Sequence, residues 1–191
     1  MQPSAELVSL IEHRLGAVAI GHLALRHSME WDLPPAMAVY FDGKQVIEGK
    51  ATGFTNSAIE AAIVHCRALL EFCGLALKKG TSTDLREIVQ RHEGDDCGIE
   101  QFQGLQRVTI AEATKYYAGN TDEAEAALAY VIYLANKGLA HTVSFFTKHD
   151  SGTRLLEIAF RGVPELICNR FYIARGITPP EYKLQSRAHT I

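Results

Sequence analysis

No pair of cysteines in this sequence stands at CxxC spacing, and none of the four, at 66, 73, 97 and 168, fits a metal-finger pattern. Cys66 and Cys73 are seven residues apart on one expected helix, about 10.5 Å along its axis, too far for a disulfide. They are read as buried free thiols in a reducing compartment. A strongly basic balance is also missing: the formal charge is −3 and the pI near 6.2, against a dedicated nucleic-acid binder. No basic segment precedes an apolar core at the start, MQPSAELV, and no apolar run approaches the roughly 20 residues of a membrane span. The expectation is a cytoplasmic protein without a membrane segment. Absent too are a GxSxG elbow, a GxxxxGKS/T loop and a GxGxxG fingerprint, which argues against the common hydrolase, NTPase and dinucleotide-dependent classes.

What the sequence has is enough apolar residue to close a core: 47% of 191 residues are hydrophobic and 21% charged, without a Gly/Ser/Pro-rich linker. A chain of this length buries roughly 70% of its unfolded surface and needs neither disulfide nor metal to fold. One helical domain over 1–176 is expected, with a flexible polar tail over 177–191.

Leu7, Leu10, Ile11, Leu15 and Val18 stand at helical intervals and predict a long first helix, with Ser4 as its cap, ending near Trp31-Asp32. Residues 36–50 fit two readings. Asp42-Gly43 is a hairpin signal, for a short hairpin over 37–48, and a helix after Pro34-Pro35 fits about as well. Helix is favoured, because no other segment reads as a strand and an isolated hairpin is marginal. "TNSAIEAAIVHCRALLEFCGLALKKG" predicts a central helix ending at Gly80, with Ile59, Ile63, Cys66, Leu70, Cys73 and Leu77 on one face and Glu60, Arg67, Glu71 and Lys78 in a narrow polar stripe. "STDLREIVQRH" reads as a short helix, and "GLQRVTIAEATKYYAGN" as a weaker one. A second core helix of about seven turns starts at Thr121. The last stretch is two helices or one kinked helix, with Pro164 in a first turn after Gly162 and Gly176 as a C-cap. The fold class these elements predict is all-α, a mainly antiparallel helical bundle.

Candidate chemistry gathers on the two core helices. Lys137 and His141, four residues apart, project from one side of the second, with Tyr130, Tyr133 and Leu134 on the turns before them and Asn136 offset by one. Such a side offers a general base, a phosphate or oxyanion donor and an aromatic surface. The competing reading has Lys137 in solvent, His141 hydrogen-bonded inside and the tyrosines packed. On the central helix His65 sits among apolar neighbours, where an imidazole needs a partner, with His141 or Tyr133 in reach if the core helices adjoin. Arg67 and Glu71 form an i,i+4 pair, either a solvated face or an arginine at a phosphate cleft. "HEGDDC" gathers His92, Glu93, Asp95, Asp96 and Cys97 but none of the ordered metal spacings, so a polar loop is the better reading. No metal and no cofactor are expected.

"AIEAAIVHCRALLEF" and "ANKGLAHTVSFF" together resemble a group of small bacterial proteins of uncharacterised function. In that group a helix reading leucine-leucine-His-Ala-Arg-x-Leu-x-x-Phe is followed much later by Asn-Lys-x-x-Ala-His-Leu-Thr. His65-Cys66-Arg67 and Leu70-Glu71-Phe72 match the first motif; Asn136-Lys137 and Ala140-His141-Thr142 match the second. The group is in turn similar to the helical HEPN domains, often ribonucleases or RNA binders of toxin–antitoxin and defence systems, whose helix pairs in a dimer. That resemblance implies a catalytic His141, but Asn136 stands where those domains carry an arginine and Lys137 where asparagine is frequent. Lys137 replaces a bidentate phosphate contact only as a point charge. The reading that follows is a non-catalytic interaction or ligand-binding module, expected as a homodimer, with His65, Arg67, Tyr133 and Asn136 as binding residues. The alternative is a metal-independent ribonuclease or RNA-binding protein, with His141 and Lys137 as catalytic groups.

Overall fold

The computed structural model describes residues 5–91, 97–138 and 150–182. Those residues are mostly helical, with two small antiparallel hairpins. Helix α1 (Ala5–Met29) is followed by strands β1 (Ala36–Phe41) and β2 (Lys44–Lys50) and by α2 (Thr52–Cys73). Strands β3 (Leu75–Leu77) and β4 (Leu85–Glu87) make the second hairpin, and α3 (Ile110–Thr114), α4 (Thr121–Tyr133) and α5 (Asp150–Ile167) complete the order. Wider π-type turns extend α4 over Leu134–Gly138 and α5 over Cys168–Tyr172.

Helices α1 and α2 run antiparallel, which a set of matched neighbours shows: Arg14 beside His65 and Gly21 beside Ala58 and Ala62. The apolar side of α1, with Ile11, Leu15, Val18 and Leu25, is buried as its spacing predicts, where the helix packs on α2 and α5. A Cβ at Gly21 would fall 2.8 Å from the Ala58 carbonyl oxygen and inside the Ala62 methyl group, so the glycine lets the two backbones approach. By length and composition α1 is also apolar enough to cross a membrane, a test that the core helix of a soluble protein passes too.

The favoured helix over 36–50 is not there. Asp42 and Gly43 take φ of 49° and 76°, the two left-handed positions of a tight hairpin turn, and pair Phe41 with Lys44. Val39 opposes Ile47 while Tyr40 opposes Gln45, which leaves Val46 as an extra, bulged residue. Asp-Gly chemistry therefore prevails over the helix that could have followed Pro34-Pro35.

A second difference lies after α2. The expected helix runs to Gly80, but the chain turns at Gly74, whose φ of 93° is left-handed and whose N–H donates to the Glu71 and Leu70 carbonyls. Leu75 and Leu77 then pair with Glu87 and Leu85, so the short helix expected over "STDLREIVQRH" is a strand and its flanks. Helical order in "GLQRVTIAEATKYYAGN" is confined to α3, started by a capping box between Thr109 and Glu112. Helix α4 starts at Thr121 as expected, with Asn120 as its cap. Pro164 lies inside a single α5 instead of opening a second helix, and Gly176 is left-handed as expected. Of the expected tail, Tyr182 packs against the core; residues 183–191 fall outside the described residues.

Ile63, Cys66, Leu70 and Cys73 of α2 are fully buried at the centre, with α4 and α5 against them. Phe72, Phe102 and Phe171 close one end as a tilted and edge-on cluster with ring centroids 5.3 to 5.9 Å apart. Burial pushes the Cys73 thiol up to about 12 and the Cys66 thiol higher still, so both are unreactive core groups.

The close contact at Gly21 yields a paired prediction. Gly21→Ala overpacks the helix crossing and is expected to cost about 1–3 kcal/mol. Gly16→Ala, on the same helix with no atom within 4 Å of its new Cβ, is expected to stabilise by about 0.5–1 kcal/mol through helix propensity. Thermal melts of the two variants check the pair, and equal shifts would contradict the backbone contact.

Candidate functional site

The ending of α2 decides where a cavity forms. Four carbonyls at a helix C-terminus lack intrahelical partners, and here they are met from three directions. Gly74 N–H serves Leu70 and Glu71, Val108 N–H donates to the Cys73 carbonyl at 2.9 Å, and Arg91 Nη2 donates to the Glu71 and Phe72 carbonyls at 2.8 and 3.0 Å. The Arg91 charge also suits the negative end of the helix. Its Nε donates to Glu100 at 2.8 Å, and Arg107 Nε stands 2.9 Å from the same carboxylate oxygen. Arg107 in turn donates to the carbonyls of Ile88 and Val89. Burial alone would raise the Glu100 carboxyl, but hydrogen bonds from Arg91, its own backbone and Arg107 outweigh it and hold the pKa below the usual range.

This clamp holds the segment after β4 against α2, and between that segment, α1 and α2 lies a groove of about 600 Å³. Its apolar wall is Leu7, Leu10, Ile11, Leu69, Phe72 and Ile88; its polar wall is Arg14, Arg67, Arg86, Arg91, Gln90 and Glu71. A size of this order, with apolar walls and a few convergent polar groups, is that of a small-molecule site. Arg67 Nε donates to Glu71 at 3.0 Å, both side chains being about two-fifths exposed, so the predicted ion pair is present and faces a cleft. Arg14 Nη1 donates to Nδ1 of His65 at 3.1 Å, and the His13 ring meets His65 edge-on with centroids 5.3 Å apart. Accepting that bond makes His65 a neutral imidazole with its proton on Nε2.

Two of the six expected site residues thus converge: Arg67 lines the groove and His65 holds Arg14, which lines it. His65 faces α1, not the end of α4. Lys137 is exposed and Asn136 half-buried in the wider turn after α4, and Tyr133 packs half-buried on the core. None of these three lines the groove. His141 lies outside the described residues, as do His92, Glu93, Asp95 and Asp96. Among the described residues no group of three or more His, Cys, Asp or Glu is placed to hold a metal ion.

Arg14, Arg86 and Arg91 were not singled out in the sequence. Arg86 and Arg91 sit in a stretch read as helix, and nothing in local spacing joins position 14 to position 67 or 86. No family model, curated protein or solved structure matches the chain.

Two predictions follow from this geometry. Arg91→Met removes the cap on α2 and leaves Glu100 with one cation; its expected cost is about 2–3 kcal/mol by chemical denaturation. Arg86→Met, on the same wall and with a side chain that makes no hydrogen bond or ion pair among the described residues, is expected within about 0.5 kcal/mol of the parent.

Burial, then Arg14 and His13, lower the His65 pKa; burial also lowers that of His22, where Arg26 and Arg161 reinforce it and Glu157 opposes it. Below the ordinary value near 6.5 the unfolded chain binds protons that these folded imidazoles refuse. Stability therefore rises with pH through this window and falls on acidification, so Tm is expected to drop from pH 7 to pH 5. His65→Gln is expected to flatten that slope, and a Tm that climbs as pH falls would contradict the assignment.

Proposed function

We propose that the chain is a non-catalytic ligand-binding module, an antiparallel helical bundle of the cytoplasm whose binding site is the groove between α1, α2 and the segment after β4. One observation carries the reading: three elements distant in sequence each bring an arginine to a single groove of ligand size that also has an apolar wall. Free thiols buried in the core agree with a reducing compartment. A general acid or base is not needed to explain His65, which Arg14 engages, or Lys137, a solvent-facing charge. The HEPN-like alternative remains a proposal about His141 and Lys137, and the arginine wall offers it some support as a track for RNA phosphates.

Chemical-shift mapping with a mixed library of small apolar acids, phosphates and neutral aromatics tests the reading. Perturbations are expected to cluster on residues 7–14, 67–72 and 86–91. If no compound in the library moves those resonances, the groove is not a binding site. If single-stranded RNA moves the surroundings of Lys137 instead, the alternative replaces it.

A further inference from the structure

Resting on the reading of the groove as a binding site, we infer that its ligand is an organic phosphomonoester, a dianionic phosphate joined to an apolar body. The argument is a count of donors and charges. Arg91 is spent inside the protein, with Nη2 on two carbonyls and Nε on Glu100. Arg67 gives Nε to Glu71, which neutralises its charge and leaves its two terminal nitrogens without a hydrogen bond to the described residues. Among the described residues Arg14 gives one terminal nitrogen to a neutral imidazole and meets no carboxylate, so there its charge is uncompensated and its Nε and Nη2 are unengaged. The Arg86 side chain, on a residue whose backbone pairs with Ala76, makes no hydrogen bond or ion pair with any described residue.

Counted over the described residues, the groove therefore presents two uncompensated positive charges, from Arg14 and Arg86, with donors to spare on three guanidinium groups. A carboxylate would balance one of those charges. A phosphomonoester carries about −1.5 to −2 near neutral pH and three acceptor oxygens, which matches both the charge and the number of planar donor groups. Inorganic phosphate would satisfy the arginines but leave Leu7, Leu10, Ile11 and Phe72 against water. A neutral aromatic would fill that wall and leave the arginines to water. Joining the two parts in one molecule satisfies both walls.

Titration calorimetry of the full chain with phenyl phosphate, inorganic phosphate, benzoate and phenol, at fixed ionic strength, tests the class. Phenyl phosphate is expected to bind at least about tenfold more tightly than each of the others, and Arg86→Gln to weaken it by about tenfold without moving Tm. Its affinity is expected to fall as pH drops through the second phosphate pKa near 6. Benzoate or phenol binding as tightly as phenyl phosphate would overturn the phosphomonoester class while leaving the groove a binding site. Binding of phenyl phosphate that Arg86→Gln and Arg14→Gln both leave unchanged would overturn the placement. Failure of all four probes to bind a folded chain would overturn the class and the binding-site reading together. An oligoribonucleotide that outcompetes phenyl phosphate through Arg86 would overturn the small-molecule class.

Discussion

The arrangement hangs on the grip of Arg91 on the C-terminus of α2. One guanidinium meets two orphan carbonyls of the central helix and the Glu100 carboxylate, and Arg107 meets the same carboxylate oxygen. A buried helix end without partners would cost as much as several lost hydrogen bonds. Meeting that need with a side chain from the segment after β4 ties a distant part of the chain to the core helix. Gly74 makes the clamp geometrically available, since its left-handed backbone stops the helix and turns the chain back into a hairpin.

The groove follows from this clamp and from the close packing of α1 on α2. Gly21 brings the two helices together at mid-length, and the segment held by Arg91 walls off their other end. Arginines are costly to gather, because like charges repel unless carboxylates or polar partners intervene. Glu71, Glu100 and the neutral His65 supply those partners for Arg67, Arg91 and Arg14. Arg86 has no such partner among the described residues, which makes it the most informative cation of the wall.

Much of the core was legible in the sequence and little of the site. The helical spacing of Ile63, Cys66, Leu70 and Cys73 predicted a central buried helix, and those side chains are fully buried. Arg67 with Glu71 and the need of His65 for a partner were also visible, since both rest on short-range geometry and on the cost of burying an imidazole. Lys137 with Tyr133 and Asn136 attracted attention for the same local reason, yet their surroundings place a solvent-facing charge beside half-buried groups away from the groove. In 36–50 the hairpin alternative holds over the favoured helix, and in 74–87 a hairpin replaces helix, because Asp42-Gly43 and Gly74 weigh on the backbone more than the apolar periodicity around them.

By itself the sequence determined a mostly helical chain with a central apolar helix and, along that helix, a narrow polar stripe that includes Arg67 and Glu71. Those properties depend on spacing within a few turns, where 3.6-residue periodicity and local backbone preference act. Only the tertiary structure decided that Arg14, Arg67, Arg86 and Arg91 share one groove, and which of them are spent inside the protein. Charge and donor count at a site are sums over residues brought together by packing, and no pattern along the chain encodes that sum.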